Sequence, residues 1–160
     1  MPDVQTTTGR VSWLMPAMIT PWVRTTAWLL LVANIIIVGT GGLVRLTGSG
    51  LGCPTWPYCT PESLVPTAEM GIHGLIEFGN RTLTGVLVIV AALAFLAVVR
   101  MWRERPELAK LTFAVGIGII VQALVGGVTV WMHLHPSIVG VHYLISAALV
   151  AISTVHLCRV

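Results

Sequence analysis

The sequence predicts an all-α membrane protein, a four-helix transmembrane bundle with both termini on the cytoplasmic side. Three observations carry that expectation. Of 160 residues, 56% are hydrophobic and 9% charged, with a mean hydropathy of +0.90, whereas a soluble domain carries roughly 25% charge. Four apolar runs are long enough to cross a bilayer, which takes about 20 residues. The basic residues collect on alternate loops, the pattern of the positive-inside rule. The net charge of +3 is spread among those loops and makes no basic patch, so nucleic acid is not an expected partner.

Residues 1–24 read as a cytoplasmic N-terminal segment, and 25–160 as the membrane domain. The segment to Thr20 is polar and then mixed. It lacks the small-residue exit site of a cleavable signal peptide. Trp13, Met15, Met18 and Trp22 suit a position on lipid headgroups. The first span covers about Thr26 to Val44, and the second about Leu75 to Val99, with a polar start. The third runs from about Leu111 to Trp131, and the fourth from about Ile138 to Leu157. Arg10 and Arg24 precede the first span. Arg100, Arg103, Arg105 and Lys110 lie between the second and third, and Arg159 follows the fourth. The opposite side carries only Arg45, at a helix end. The loop 46–70 and the turn His133-Leu134-His135-Pro136 are therefore expected outside.

That outer loop follows a glycine-rich stretch, Gly39-Thr40-Gly41-Gly42-Leu43-Val44-Arg45-Leu46-Thr47-Gly48-Ser49-Gly50-Leu51-Gly52. It continues as Cys53-Pro54-Thr55-Trp56-Pro57-Tyr58-Cys59. Two cysteines on an oxidising face persist as a disulfide. The pair reads either as a structural staple or as a redox-active pair. Cys158, at the other end, reads as a free packing thiol. On the third span, Val125-Gly126-Gly127-Val128 echoes the Gly41-Gly42-Leu43-Val44 end of the first. Small residues there let a helix or a flat ligand come close.

The chemistry centres on Ile76-Glu77-Phe78-Gly79-Asn80-Arg81, at the head of the apolar run Thr82 to Val99. Ionisable residues inside a membrane segment are costly and usually mark a site. Glu77 and Arg81 are i,i+4 neighbours on one helix face, and His73 lies a further turn before them. An interfacial ion pair is the simpler reading of the same spacing. His142 sits one turn inside the fourth span, in Ile138-Val139-Gly140-Val141-His142-Tyr143-Leu144. In lipid a buried imidazole needs a partner, and heme iron is one. His156 reads as a packing or interfacial residue, and His133 and His135 as solvated turn residues.

Together, Gly41-Gly42-Leu43-Val44-Arg45-Leu46-Thr47-Gly48-Ser49-Gly50-Leu51, the Cys53/Cys59 loop, Glu77-Phe78-Gly79-Asn80-Arg81 and Val139-Gly140-Val141-His142 resemble the heme A synthase family. The resemblance runs from about Trp28 to Leu157. It implies oxidation of a heme O methyl group to the formyl group of heme A, for heme-copper terminal oxidases. Successive hydroxylations give a gem-diol that loses water. It also implies eight helices in two similar halves, each half offering one histidine on its second helix and one on its fourth. Glu77 falls on the family's essential glutamate, His142 on the fourth-helix histidine, and Cys53/Cys59 on its outer cysteine pair. The resemblance further implies a multi-pass protein of a bacterial cell membrane, with heme O, or heme b, as the bound heme. Heme O synthase and an electron acceptor are the implied partners, beside membrane lipid.

Two departures stand out. The chain covers four helices, so it corresponds to the N-terminal half. It is either a fragment lacking its C-terminal half or a half-size protein that forms a homodimer. The family's second-helix histidine position is Asn80, and an amide is a poor iron ligand beside imidazole. His73 shares the face of Asn80 but not the depth of His142. Counted from Arg100, Asn80 is 20 residues away and His73 is 27, while His142 is 17 from Arg159. At ~1.5 Å per residue His73 would sit about 15 Å further out than His142. Heme held by His142 alone, with Asn80 near the open iron face, competes with ligation by His142 and His73.

In the expected mechanism Glu77 accepts a proton beside the reacting methyl, or stabilises a carbocation-like intermediate. Arg81 and Arg45 bind the heme propionates or fix Glu77. Two other readings stay open. One is a quinone-linked membrane thiol oxidoreductase using Cys53/Cys59; the other is a non-catalytic heme-binding cytochrome subunit.

Overall fold

The computed structural model describes residues 13–160. Arg10 and the first half of the 1–24 segment lie outside the described residues. Four helices make up the fold: α1 (Pro21–Leu46), α2 (Gly71–Val99), α3 (Pro106–Trp131) and α4 (Pro136–Arg159). Each is long and apolar enough to cross a membrane, and the chain is a multi-pass membrane protein. Among the described residues the only β pairing is an isolated bridge between Thr60 and Ser63.

The helices begin earlier than their apolar runs. Pro21, Pro106 and Pro136 open α1, α3 and α4, where the missing N–H costs no helical bond and the fixed φ suits the first turn. Arg24 and Lys110 therefore lie inside helices rather than in the loops before them. Likewise α2 starts at Gly71, so His73 is helical rather than part of the loop. Gly71 has φ of +56° at the junction with a short 3₁₀ turn, Ala68–Met70, a conformation natural to glycine.

The helices form a ring. α1 packs on α2, α2 on α3, α3 on α4 and α4 on α1, while the diagonal pairs make no contact. Each helix keeps a narrow inward stripe and leaves the rest apolar and exposed, as suits lipid. On α1 the stripe is Val23, Thr26, Ala27, Leu30, Leu31 and Asn34, and Trp28, Leu29, Val32, Ile35 and Ile36 face outward. On α2 the small Ala91, Ala94 and Ala97 are buried and let the neighbours close in.

The half of the bundle nearest the termini is solid. Val23, Ala97, Val98, Met101, Leu108 and Ala109 form one buried cluster, with Ile19, Trp22 and Phe95 packed on it. A second cluster, Leu30, Leu87, Ala91, Ala94, Val115, Ile119 and Leu149, fills the middle. At Gly118 an added Cβ would collide with Leu149. Buried Asn34 crosses from α1 to α4, its Nδ2 donating to the Leu30 carbonyl at 2.8 Å and to Ser153 Oγ at 3.3 Å. Beyond these layers the ring opens.

The loop 47–70 roofs that open end. The Cys53–Cys59 disulfide is formed, and both cysteines are fully buried. The backbone of Gly52 packs against His73 and Gly74 of α2 so closely that a Cβ at Gly52 would lie 2.8 Å from the Gly74 nitrogen. Trp56, preceding a cis peptide bond to Pro57, reaches α3. It lies edge-on to Trp131, ring centroids 5.8 Å apart, and covers Gly127. The α3–α4 turn, with His133 and Leu134 at positive φ, brings the Leu134 side chain onto Gly50. His133 and His135 are exposed, as expected. Cys158 is free but exposed on the helix surface rather than packed inside. His156 is fully buried, not interfacial.

Candidate functional site

Under the roof lies a cavity of about 850 Å³, bounded by all four helices and the loop. That is at the upper end of small-molecule sites, which run to ~1,000 Å³. Its floor includes Asn34, Leu87, Ile119 and Leu149, so it rests on the middle core layer. Glu77, Asn80, Arg81 and Thr84 of α2 form one polar wall. Gln122 of α3 with His142 and Ser146 of α4 form the wall across from it. Arg45 lies at the end of α1 beside Gly48 and Gly50. Gly41, Gly42 and Gly126 also line the space, so the first glycine pair of the sequence echo borders it and one glycine of the second.

Glu77 and Arg81 pair at 2.5 Å, as their i,i+4 spacing predicts. Both do more than face each other. Glu77 Oε2 accepts the backbone N–H of Cys53 at 2.8 Å. The Arg81 guanidinium donates to three loop carbonyls: Thr55 at 2.9 Å, Cys53 at 3.1 Å and Tyr58 at 3.2 Å. The pair thus fastens the disulfide loop to α2. Its side chains are 8% (Glu77) and 21% (Arg81) exposed, so it is a buried pair with its hydrogen bonds satisfied, the condition under which such pairs are tolerated.

The opposite wall is less satisfied. The His142 ring lies over Gly126, where a Cβ would sit 3.3 Å from its Cε1. Its Nδ1 is buried with no hydrogen-bond partner. Gln122 Nε2 donates to the His142 carbonyl at 2.8 Å and to Ser146 Oγ. A carbonyl only accepts, which fixes the NH₂ end of the amide toward it and leaves Gln122 Oε1 buried and unpartnered. Gln122 stood out in the sequence only as one polar residue in an apolar span; its place beside His142 comes from the helix ring.

Asn80 lines the cavity, and its Oδ1 accepts from the Thr40 hydroxyl at 2.7 Å. His73 is elsewhere: its Nδ1 meets Ser49 Oγ at 2.9 Å, and the residue is not on the cavity wall. So the structure brings together Glu77, Asn80, Arg81, Arg45 and His142, and leaves His73 in the loop contact. Trp56 is a wall residue that the sequence offered only as part of the cysteine loop, and Gln122 one that it offered only as a polar residue on the third span.

Helix ring, apolar outer face and a roofed, mainly apolar cavity with polar groups on two walls define a multi-pass membrane protein with a large internal cavity. The family follows from comparison: the chain belongs to the cytochrome oxidase assembly proteins of the COX15-CtaA family, whose profile matches residues 24–160. It is 34% identical over 120 residues to the heme A synthase of Alkalihalophilus pseudofirmus, covering 72% of this chain and 39% of that protein. The heme A synthase of Listeria welshimeri is likewise 34% identical over 120 residues, 74% of this chain and 39% of the relative. That of Geobacillus thermodenitrificans is 28% identical over 106 residues, 66% of this chain and 32% of the relative. The matched region thus spans 32% to 39% of the length of these curated relatives.

Proposed function

We propose that the cavity holds heme O, ligated by His142, and that the chain serves oxidation of a heme methyl group to the formyl group of heme A for terminal oxidase assembly. The observation that carries this is an imidazole on the wall of a large cavity whose ring makes no hydrogen bond to the described residues. Among the described residues no three His, Cys, Asp or Glu side chains converge as a metal site. An iron that brings four ring nitrogens needs only axial ligands, and one histidine supplies one. The glycines on the wall suit a flat macrocycle. When bound, the heme iron would supply the redox chemistry; heme b is the alternative occupant.

Glu77 is the proposed catalytic group. It lines the cavity with one donor on each oxygen. A carboxylate offers about four acceptor sites, so capacity remains to take a proton or to steady positive charge beside the reacting carbon. Arg81 is spent on Glu77 and the loop, so it positions rather than binds substrate. Arg45 is exposed, lines the cavity and has no acidic partner among the described residues. It is the proposed anchor for a propionate.

The basic-residue count supports a roof outside the cell and termini inside, in a bacterial cell membrane. A second copy of this chain or a further four-helix segment would complete the eight-helix arrangement. Heme O synthase and an electron acceptor are its proposed partners. A thiol oxidoreductase is less well supported, because exchange needs an accessible disulfide and both Cys53 and Cys59 are fully buried.

The test is co-expression of the full chain with a heme O supply, detergent purification and extraction of the hemes. Heme A that disappears in Glu77→Gln supports the proposal. Heme O or heme b without heme A supports a non-catalytic cytochrome subunit, and a heme-free protein with exchangeable thiols the oxidoreductase.

A further inference from the structure

We infer that Asn80 and the open face of the iron opposite His142 form a binding site for a small diatomic ligand of the dioxygen class. This rests on the proposed heme site and adds what the second face of the iron meets. α2 and α4 are diagonal in the ring, do not touch, and both border the cavity. Asn80 lies 19 residues from the end of α2 and His142 17 from the end of α4. At ~1.5 Å per residue the two differ in depth by about 3 Å. Both line the space, and by this count they do so at nearly one level.

Asn80 Oδ1 lies 2.7 Å from the Thr40 hydroxyl, which also reaches the Ile37 carbonyl, and the Asn80 NH₂ group makes no hydrogen bond to the described residues. A carboxamide nitrogen has its lone pair delocalised, so it donates rather than ligates. The other imidazole of α2, His73, is held by Ser49 away from the cavity wall. No imidazole among the described residues therefore opposes His142. His142 would be the imidazole that holds the iron, and Asn80 would offer an amide donor on the same cavity. Distal hydrogen-bond donors are what bias such an iron toward diatomic ligands, whose outer atom gains negative charge on coordination. The carboxylate one turn before Asn80, Glu77, is turned toward Arg81 and Cys53, where its oxygens already have donors.

The probe is carbon monoxide on the full chain, purified in detergent and loaded with ferrous protoheme. Carbon monoxide forms a dative bond to ferrous iron, with no net oxidation or reduction. The expected wild-type protein is high-spin before the gas is added and binds it stoichiometrically. Asn80→Leu should keep binding but move the C–O stretch to higher frequency and weaken dioxygen retention about fivefold, the worth of one hydrogen bond. Asn80→His should turn the iron low-spin and block the gas. A wild-type protein that is already low-spin and excludes carbon monoxide overturns the inference, as does an unchanged C–O stretch in Asn80→Leu. Both results leave heme binding by His142 intact. Failure of every variant, wild type included, to take up heme overturns the heme reading and this inference with it.

Discussion

The backbone N–H of Cys53 donates to Glu77 Oε2 at 2.8 Å, across 24 residues of sequence. The proposed catalytic carboxylate is thus also an anchor of the disulfide loop. Its position in the cavity depends on the loop, and the loop's position depends on it.

Removing the carboxylate should therefore cost both activity and stability. Glu77→Ala leaves Arg81 without its partner in a mostly buried setting, which costs about 3 kcal/mol. Thermal unfolding in detergent should show a clear drop in Tm. Arg81→Leu should loosen the loop comparably while leaving a carboxylate in the cavity. Heme A formation lost in Glu77→Gln but partly kept in Arg81→Leu would separate chemistry from anchoring. Equal losses would mean that Glu77 acts through the loop.

The roof depends on one glycine. A Cβ at Gly127 would lie 2.7 Å from Trp56 Cδ2. Gly127→Val should lift Trp56, at a cost of about 1–3 kcal/mol for overpacking. Tryptophan fluorescence should report a more polar environment. An unchanged spectrum and Tm would show that the Trp56 contact is dispensable.

Thiol counting tests the disulfide. An alkylating reagent in detergent should label one cysteine, Cys158, before reduction and three after it. The paired substitution Cys53→Ser with Cys59→Ser should cost roughly 2 kcal/mol, as expected for so short a closed loop. Three labelled thiols without reductant would contradict a formed bond.

Gln122 supports His142 through its carbonyl. Gln122→Leu removes one donor to that carbonyl, which the Ser146 hydroxyl shares, and the donor to Ser146 Oγ. Partners beyond the ligands themselves typically shift metal affinity 10–100-fold. Heme titration should show affinity lowered by at least tenfold, with the helical content unchanged. Wild-type affinity in Gln122→Leu would show that the His142 backbone needs no such support.

Much of this was legible beforehand, for physical reasons. Four spans were visible because lipid demands long apolar runs, and Glu77–Arg81 because i,i+4 spacing fixes a shared face. The Cys53–Cys59 pair was legible as a candidate staple, and the structure forms it. Helix starts were not legible from apolar content, since Pro21, Pro106 and Pro136 begin helices outside the apolar stretch. Sequence spacing put His73 on the Glu77 face. It could not show that Gly52 packs on His73 and Gly74, or that Ser49 takes the ring. The spacing offered Arg81 as a partner of Glu77 or of a propionate, but not as a donor to three loop carbonyls, because those lie on a loop whose path no local signal encodes. Gln122 and Trp56 join the wall only through contacts between distant segments.

The account stands on His142 as the ligand that holds heme in this cavity. The most direct test is titration of heme into the purified full chain and into His142→Ala, followed by the Soret band. The expected result is saturable 1:1 binding in the wild type and its loss in His142→Ala, with Tm showing that the variant is folded. Equal binding by a folded His142→Ala protein would contradict the account.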